Sequence, residues 1–155
     1  EQSNVATPPP TMYSHSPSKL VARPAVAVSS EKTGTAGSAR AALVKAALDS
    51  PGNGGVLVVD GGGSLRRALV GGNLAAAAVR NGWAGIVVDG CVRDAAELQA
   101  ASVGVRALAL MPLPTEKRNE GQRDGVVQLQ GVAVRPGDWL YADADGIVVS
   151  ATSLH

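Results

Sequence analysis

Arg93 and Asp94 stand side by side in this chain of 155 residues, with Glu97 three positions further on. A Gly71-Gly72-Asn73-Leu74 turn lies upstream, and twenty residues separate Gly72 from Arg93. An arginine offers a planar fork to a carboxylate or keto oxygen. An aspartate is a hard oxygen ligand suited to Mg²⁺ or Mn²⁺. Glu97 falls on the same helical face as Asp94 and could orient metal-bound water. Gly71 and Gly72 carry no side chains, so an anion could approach their backbone, and the free N–H groups of a helix start would hold it. The same residues admit a plainer reading. Asp94-Ala95-Ala96-Glu97 also fits an N-cap with a capping-box acid, Arg93 a surface ion-pair partner, and Gly71-Gly72-Asn73 a turn with its N-cap. On the residues alone both readings stand.

Other constellations carry less. Asp60 to Arg67 (DGGGSLRR) follows an apolar run as a phosphate loop would, but it lacks the Gly-Lys-Ser/Thr ending, and Arg66 replaces the third glycine of a dinucleotide fingerprint. The two histidines, His15 and His155, sit in a polar N-terminal segment and at the terminus, which argues against histidine-based catalysis. Asp143 and Asp145 read as turn formers, because the rest of an EF-hand loop is missing. Cys91 reads as a small packed side chain, and Trp83 and Trp139 as core or interface anchors.

The elements that must position Arg93 and Asp94 follow from the apolar pattern. Glu1 to Lys19, with its Pro8-Pro9-Pro10 run, reads as an arm or loop, and residues 20–155 as one domain. Ala25 to Val28 predicts the first strand. Ser38 is a candidate N-cap for a helix over Ala39 to Leu48, closed by Pro51-Gly52-Asn53-Gly54. Val56 to Asp60 and Gly85 to Asp89 are short apolar runs bounded by glycines, the mark of strands buried on both faces. Between them, Leu65 to Val70 reads as helical, and Asn73 as the N-cap of Leu74 to Arg80, with Gly82 as the C′ glycine. A Gly90-Cys91 turn precedes a helix from Arg93 or Asp94 to about Ala101, and Val105 to Leu110 forms another apolar segment. Thr115 to Gly125 reads as a surface loop. Val126 to Gln130, Val132 to Val134, Trp139 to Tyr141 and Ile147 to Val149 read as short strands, with turns at Pro136-Gly137-Asp138 and Asp143-Ala144-Asp145-Gly146. Alternation in the middle and strands at the end predict one α/β domain. In an open α/β sheet ligands collect at the carboxyl ends of strands, so both candidate turns could face one crevice.

Composition narrows the partners. The net charge is +1, which offers no basic field for direct nucleic-acid binding. Charged residues make up 17% of the chain and Phe is absent, so Val, Leu, Ile and Ala must build the core, with surface left for burial between subunits. A single cysteine excludes an internal disulfide and a cysteine metal cluster. No apolar run approaches the ~20 residues that span a bilayer, and no signal-peptide core is visible, so the expectation is a cytoplasmic protein with no membrane partner.

Four segments taken together resemble a known family: VLVVDGGGSLRRALVGGNLA, NGWAGIVVDGCVRDAAEL, VGVRALALMP and PGDWLYADADGIVVS. In order and spacing they are similar to the family of regulator of ribonuclease E activity A, which includes the class II 4-hydroxy-4-methyl-2-oxoglutarate aldolases. The aldolase branch is marked by a Gly, twenty residues, Arg-Asp, two residues and an acid, matched here by Gly72, Arg93, Asp94 and Glu97. The resemblance implies a three-layer α/β/α sandwich of the swivelling-domain type with a C-terminal set of short strands. It also implies homotrimers or dimers of trimers with sites at subunit boundaries. Gly71, Gly72, Asn73 and Leu74 would bind the pyruvyl end of the substrate through the backbone. Arg93 would contact substrate, Asp94 would ligate Mg²⁺ or Mn²⁺, and Glu97 would support them as a second acid. The Pro-rich arm and the Glu31 to Ser38 region depart from the family pattern.

Two functions follow from the resemblance. One is a metal-dependent lyase that cleaves 4-hydroxy-4-methyl-2-oxoglutarate to pyruvate and decarboxylates oxaloacetate through a pyruvate enolate, with a metal-bound or ordered water as proton acceptor. The other is a regulator that binds and inhibits a ribonuclease E-like partner without catalysis. Asp94 discriminates them: the lyase needs it, and the regulator branch typically lacks it.

Overall fold

Valine-rich runs separated by glycine turns pair into a central parallel sheet, because a strand buried on both faces gains from apolar side chains on each. The computed structural model describes residues 4–6, 13–15, 25–29, 38–114, 122–123, 125–143 and 146–154. In order these form β1 (Asn4–Ala6), β2 (Tyr13–His15), β3 (Ala25–Ser29), α1 (Ser38–Leu48), β4 (Val56–Val59), β5 (Ala68–Val70) and α2 (Gly72–Arg80). There follow β6 (Gly85–Val92), α3 (Ala95–Ala100), β7 (Gly104–Leu110), β8 (Gln122–Arg123), β9 (Val127–Leu129), β10 (Val132–Val134), β11 (Trp139–Ala142) and β12 (Ile147–Ser150). The largest sheet runs β2-β7-β6-β4-β3-β8, with β5 paired to β6 as well. Strands β3, β4, β5, β6 and β7 are parallel, while β2 and β8 close the two edges antiparallel.

Two apolar clusters lie on the two faces of this sheet. One joins Leu57, Val59, Ile86, Val88, Val105 and Ala107 to α1, α2 and α3 through Val44, Leu48, Ala75, Ala78 and Leu98. The other joins Val56, Val58 and Val87 to the C-terminal strands through Val127, Leu129, Val134, Leu140 and Val149. The alternation along β4 and β6 sends even and odd residues to opposite clusters, as the strand period requires. The mixed α/β architecture with terminal short strands is as the sequence implies. In the described residues, however, the second outer layer is built by β9 to β12, and its cluster contains no helical residue.

Four local readings change. Leu65 to Val70 is not a helix, and its last three residues form β5, fully buried and paired with Cys91 and Val92. Burial against the end of β6 overrides the helix propensity of Leu and Arg. No turn interrupts β6 at Gly90-Cys91, and the strand continues to Val92 with an irregular register between Val88 and Cys91. A bulge absorbs the extra residue there. Helix α2 begins at Gly72 with Gly71 as N-cap, two residues earlier than Asn73 implied. Within the segment expected as an arm or loop, Asn4–Ala6 pairs with β12 and Tyr13–His15 with β7, because sheet edges supply the hydrogen bonds that a Pro-rich composition cannot make alone.

Other expectations fall in place or outside the described residues. Gly82 takes a φ of +77° just after α2, where a C′ glycine belongs. Gly52 and Gly54 donate to the carbonyls of Asn81 and Gly82, so the turn after α1 is tied to the end of α2. Trp83 is buried and donates its indole N–H to Ser50 O at 3.1 Å. Residues 31–37, 115–121 and 144–145 are outside the described set, so nearly all of the poorly matched stretch, most of the polar loop and the middle of the Asp143 turn are too. Gln122–Arg123 of that expected loop, however, is the edge strand β8, paired with β3. Asp143 N donates to Gly146 O at 3.0 Å across that turn. Among the described residues no helix is long and apolar enough to cross a membrane.

Leu98 is the one buried residue of the short helix α3 and joins it to the main cluster. Leu98→Ala is expected to cost about 2–5 kcal/mol in urea unfolding, the range for a large-to-small change at a closed site. A loss below about 1 kcal/mol would mean that α3 is held by something other than this contact.

Candidate functional site

Strand β6 delivers Arg93 and Asp94, and its neighbours fix where they emerge. Arg93 N donates to Val70 O at 2.9 Å, while Met111 N donates to Val92 O at 2.9 Å from the other side. The end of β6 is therefore held between β5 and the continuation of β7. Gly71 follows Val70 directly, so the pairing of β5 sets the Gly71-Gly72 turn beside Arg93 and Asp94. Gly72 N donates to Asp94 Oδ2 at 3.0 Å, across twenty-two positions of sequence. Arg93 Nε lies 3.9 Å from the same oxygen.

The two glycines face carboxylates. A methyl group built on Gly71 would come within 2.6 Å of Asp94 Oδ2 and 3.1 Å of Arg93 Nε. One built on Gly72 would collide with Glu97 Oε2 and reach 2.8 Å from Glu97 Cβ. The structure thus brings together Gly71, Gly72, Arg93, Asp94 and Glu97, all named from sequence. Asn73 is exposed and Leu74 half-buried on the first turn of α2. Ala75 N donates to Gly71 O at 3.1 Å and opens the helical ladder, which leaves the N–H groups of Gly72, Asn73 and Leu74 without intrahelical acceptors.

Asp94 is not the capping residue that its spacing to Glu97 suggested. It occupies the N-cap position of α3 but makes no side-chain cap hydrogen bond, and its backbone is left-handed at φ 62° and ψ 51°. A non-glycine residue held there is strained by about 1–2 kcal/mol. The carboxylate instead reaches to the other helix. Its second oxygen, Oδ1, accepts no hydrogen bond from the described residues. The side chains of Arg93 and Asp94 are 39% and 33% exposed, so a small anion or hydrated ion can reach both.

The glycine-rich turn at Asp60 to Ser64 has a structural use. Gly62 N donates to Asp60 Oδ1 and Gly63 N to Asp89 O, and a Cβ on Gly61 would strike the Asp89 carbonyl. The turn crosses the bulge of β6, and the amides of Gly62, Gly63 and Ser64 are engaged with neighbouring acceptors. Cys91 is buried, and desolvation pushes its thiol up from the ordinary value, only partly offset by a backbone hydrogen bond at Ala109.

Sequence reading missed two buried polar residues on these strands. Asp89 is 7% exposed and accepts a 2.5 Å hydrogen bond from Gln130 Nε2. Arg106 is 3% exposed on β7; burial pulls its guanidinium down and Asp143 pushes it back up. The signal was a charged residue inside an apolar run, GIVVDGCV and GVRALAL, whose partners lie far along the chain.

Two outcomes test this geometry. Relief of the left-handed strain predicts that Asp94→Gly is more stable than Asp94→Ala by about 1 kcal/mol in urea unfolding. Equal stabilities would remove the strain argument. For Cys91, a raised folded-state value means that the unfolded chain releases its proton first. The stability this group contributes is whole below the unfolded value and is lost as pH rises above it. Native protein should therefore react with a thiol-disulfide reagent at pH 8 far more slowly than protein in urea, and equal rates would contradict the burial.

Comparison with known proteins yields concordant matches. The family model described as RraA-like, Aldolase/RraA, matches residues 4–149. A protein of Albidiferax ferrireducens, provisionally named 4-hydroxy-4-methyl-2-oxoglutarate aldolase, is 67% identical over 119 residues, taking in 72% of this chain and 69% of the relative. A crystal structure from Geobacillus kaustophilus, titled S-adenosylmethionine: 2-dimethylmenaquinone methyltransferase, superposes with a TM-score of 0.86 at 38% identity, covering 98% of this chain and 89% of that one. The RNA-processing inhibitor RraA from Thermus thermophilis superposes with a TM-score of 0.84 at 37% identity, covering 97% and 86%.

Proposed function

The chain belongs to the RraA-like, Aldolase/RraA family, and on that premise we propose that it is a divalent-metal-dependent lyase acting on 2-oxo acids. Its reactions would be cleavage of 4-hydroxy-4-methyl-2-oxoglutarate to pyruvate and decarboxylation of oxaloacetate. The observation that carries this reading is the joining of Gly72, Arg93, Asp94 and Glu97 in one cluster that is open to solvent at Arg93 and Asp94. The relative named for the aldolase supports the same class.

The residues suit a hydrated hard cation. Among the described residues no group of three or more His, Cys, Asp or Glu gathers, so a closed protein cage is not offered. Mg²⁺ commonly takes one or two carboxylates and keeps its waters, and Asp94 has one oxygen free at an accessible surface. Asp94 would hold the ion and Glu97 would orient its water shell. When bound, the cation supplies Lewis-acid stabilisation of a developing oxyanion.

The chain's own groups do the rest. The C3–C4 bond breaks as the C4 hydroxyl gives its proton to a water and becomes the keto group of the second pyruvate, or as C4 leaves as CO₂ from oxaloacetate. Either leaves an electron pair on C3, that is, a pyruvate enolate, which a proton from water converts to pyruvate. The Arg93 guanidinium adds fixed positive charge and a bidentate donor set toward the substrate's carboxylate or keto oxygen. The open N–H groups at the start of α2 favour the same carboxylate. The working form would be a homotrimer or a dimer of trimers. Leu65, Leu110 and Leu113, each about half exposed, are apolar surface that such an assembly would cover.

A second reading, regulation of a ribonuclease E-like enzyme by protein contact, draws on the likeness to the Thermus thermophilis inhibitor. Asp94 separates the two. Wild-type protein with Mg²⁺ or Mn²⁺ should consume oxaloacetate and release pyruvate from 4-hydroxy-4-methyl-2-oxoglutarate, and EDTA should stop both. Asp94→Ala should abolish the metal-dependent rate, and Arg93→Ala should lower kcat about 10²–10³-fold, as for loss of an oxyanion donor. No metal-dependent turnover by wild type, or full activity in Asp94→Ala, overturns the lyase.

A further inference from the structure

We propose that the backbone N–H of Gly72 is a positioning group for the Asp94 carboxylate rather than a donor to the substrate, which leaves the N–H groups of Asn73 and Leu74 to receive the substrate's carboxylate. This rests on the metal-lyase reading above. Three independent features of the site carry it. The Gly72 N–H lies 3.0 Å from Asp94 Oδ2 and is thereby engaged, while the N–H groups of Asn73 and Leu74 meet no acceptor among the described residues. Asp94 makes no cap hydrogen bond to its own helix, and its left-handed backbone frees the carboxylate to reach across to α2. Both glycines face the chain's own side chains, since a Cβ on Gly71 meets Asp94 Oδ2 and one on Gly72 meets Glu97.

The close approach that glycine permits is thus made by Asp94 and Glu97 and not by a ligand. Holding Oδ2 on the Gly72 amide presents Oδ1 alone, so Asp94 offers the cation a single oriented oxygen. A charge-assisted hydrogen bond of this kind restricts the rotation that an exposed aspartate would otherwise keep.

The test measures Mn²⁺ binding in the absence of substrate, by the electron paramagnetic resonance signal of the free ion. Gly72→Ala and Gly72→Pro add a comparable Cβ, but only the proline removes the N–H. Proline is favoured at the first position of a helix, and Gly71, at φ −135° and ψ −168°, has the extended backbone that a residue before proline needs. A second variant replaces the Gly72 amide N–H by an ester oxygen and adds no side chain. Mn²⁺ should bind about 10–100-fold more weakly to Gly72→Pro than to Gly72→Ala, and to the ester variant than to wild type. At saturating Mn²⁺ the ester variant should keep the KM for oxaloacetate close to that of wild type. Unchanged metal affinity with a raised KM would make Gly72 a substrate donor and overturn the proposal while the lyase reading survives. Absence of Mn²⁺ binding by wild type would overturn both.

Discussion

The site depends on the parallel pairing of β5 with the last residues of β6. One backbone hydrogen bond, from Arg93 N–H to Val70 O, joins two segments that are otherwise separated by a whole helix. Because Gly71 follows Val70 and Asp94 follows Arg93, that pairing sets the start of α2 against the start of α3. Strand β6 can accept β5 only because it extends past its partner β4, whose pairing with it ends at Val88. The bulge after Val88 and the crossing glycine turn at Gly61 to Gly63 accommodate the extra strand.

From this arrangement comes an unusual division of labour at a helix start. An aspartate in the N-cap position ordinarily satisfies the amides of its own helix. Asp94 satisfies an amide of the neighbouring helix, and the left-handed backbone is the conformational cost of doing so. Packing of Leu98 beneath α3 and burial of Val92 hold the strained residue in place from both sides. One carboxylate oxygen is thus held by a backbone amide of α2, while the other accepts no hydrogen bond from the described residues.

The second face of the sheet is stabilised differently. Asp89 and Arg106 are buried on β6 and β7, and Gln130 donates a direct hydrogen bond to Asp89 from the turn between β9 and β10. Buried polar groups of this kind carry a desolvation penalty unless they are paired, so they specify how the C-terminal strands seat on the sheet. The strand that carries Arg93 and Asp94 is therefore located by apolar packing on its helix side and by directed polar contacts on the other.

Much of this was legible in the residues. The apolar runs at Val56 and Gly85, the glycine stop at Gly82 and the C-terminal hairpin strands follow from periodicity and turn chemistry, which act over a few residues. Membership of the Aldolase/RraA family was legible too, because the Gly72 to Arg93 spacing and the Asp94 to Glu97 spacing are properties of the text. What the residues did not determine were the strand at Ala68, the continuation of β6 through Cys91, the strands at Asn4 and Tyr13, and the partners of Asp89 and Arg106. Each is decided by a hydrogen-bond partner or a buried neighbour remote in sequence, and local propensity has no access to these. The same holds for Asp94. Its spacing to Glu97 was equally that of a capping box and of a ligand acid, and only the tertiary structure, by bringing the Gly72 amide to its Oδ2, decided where the carboxylate goes.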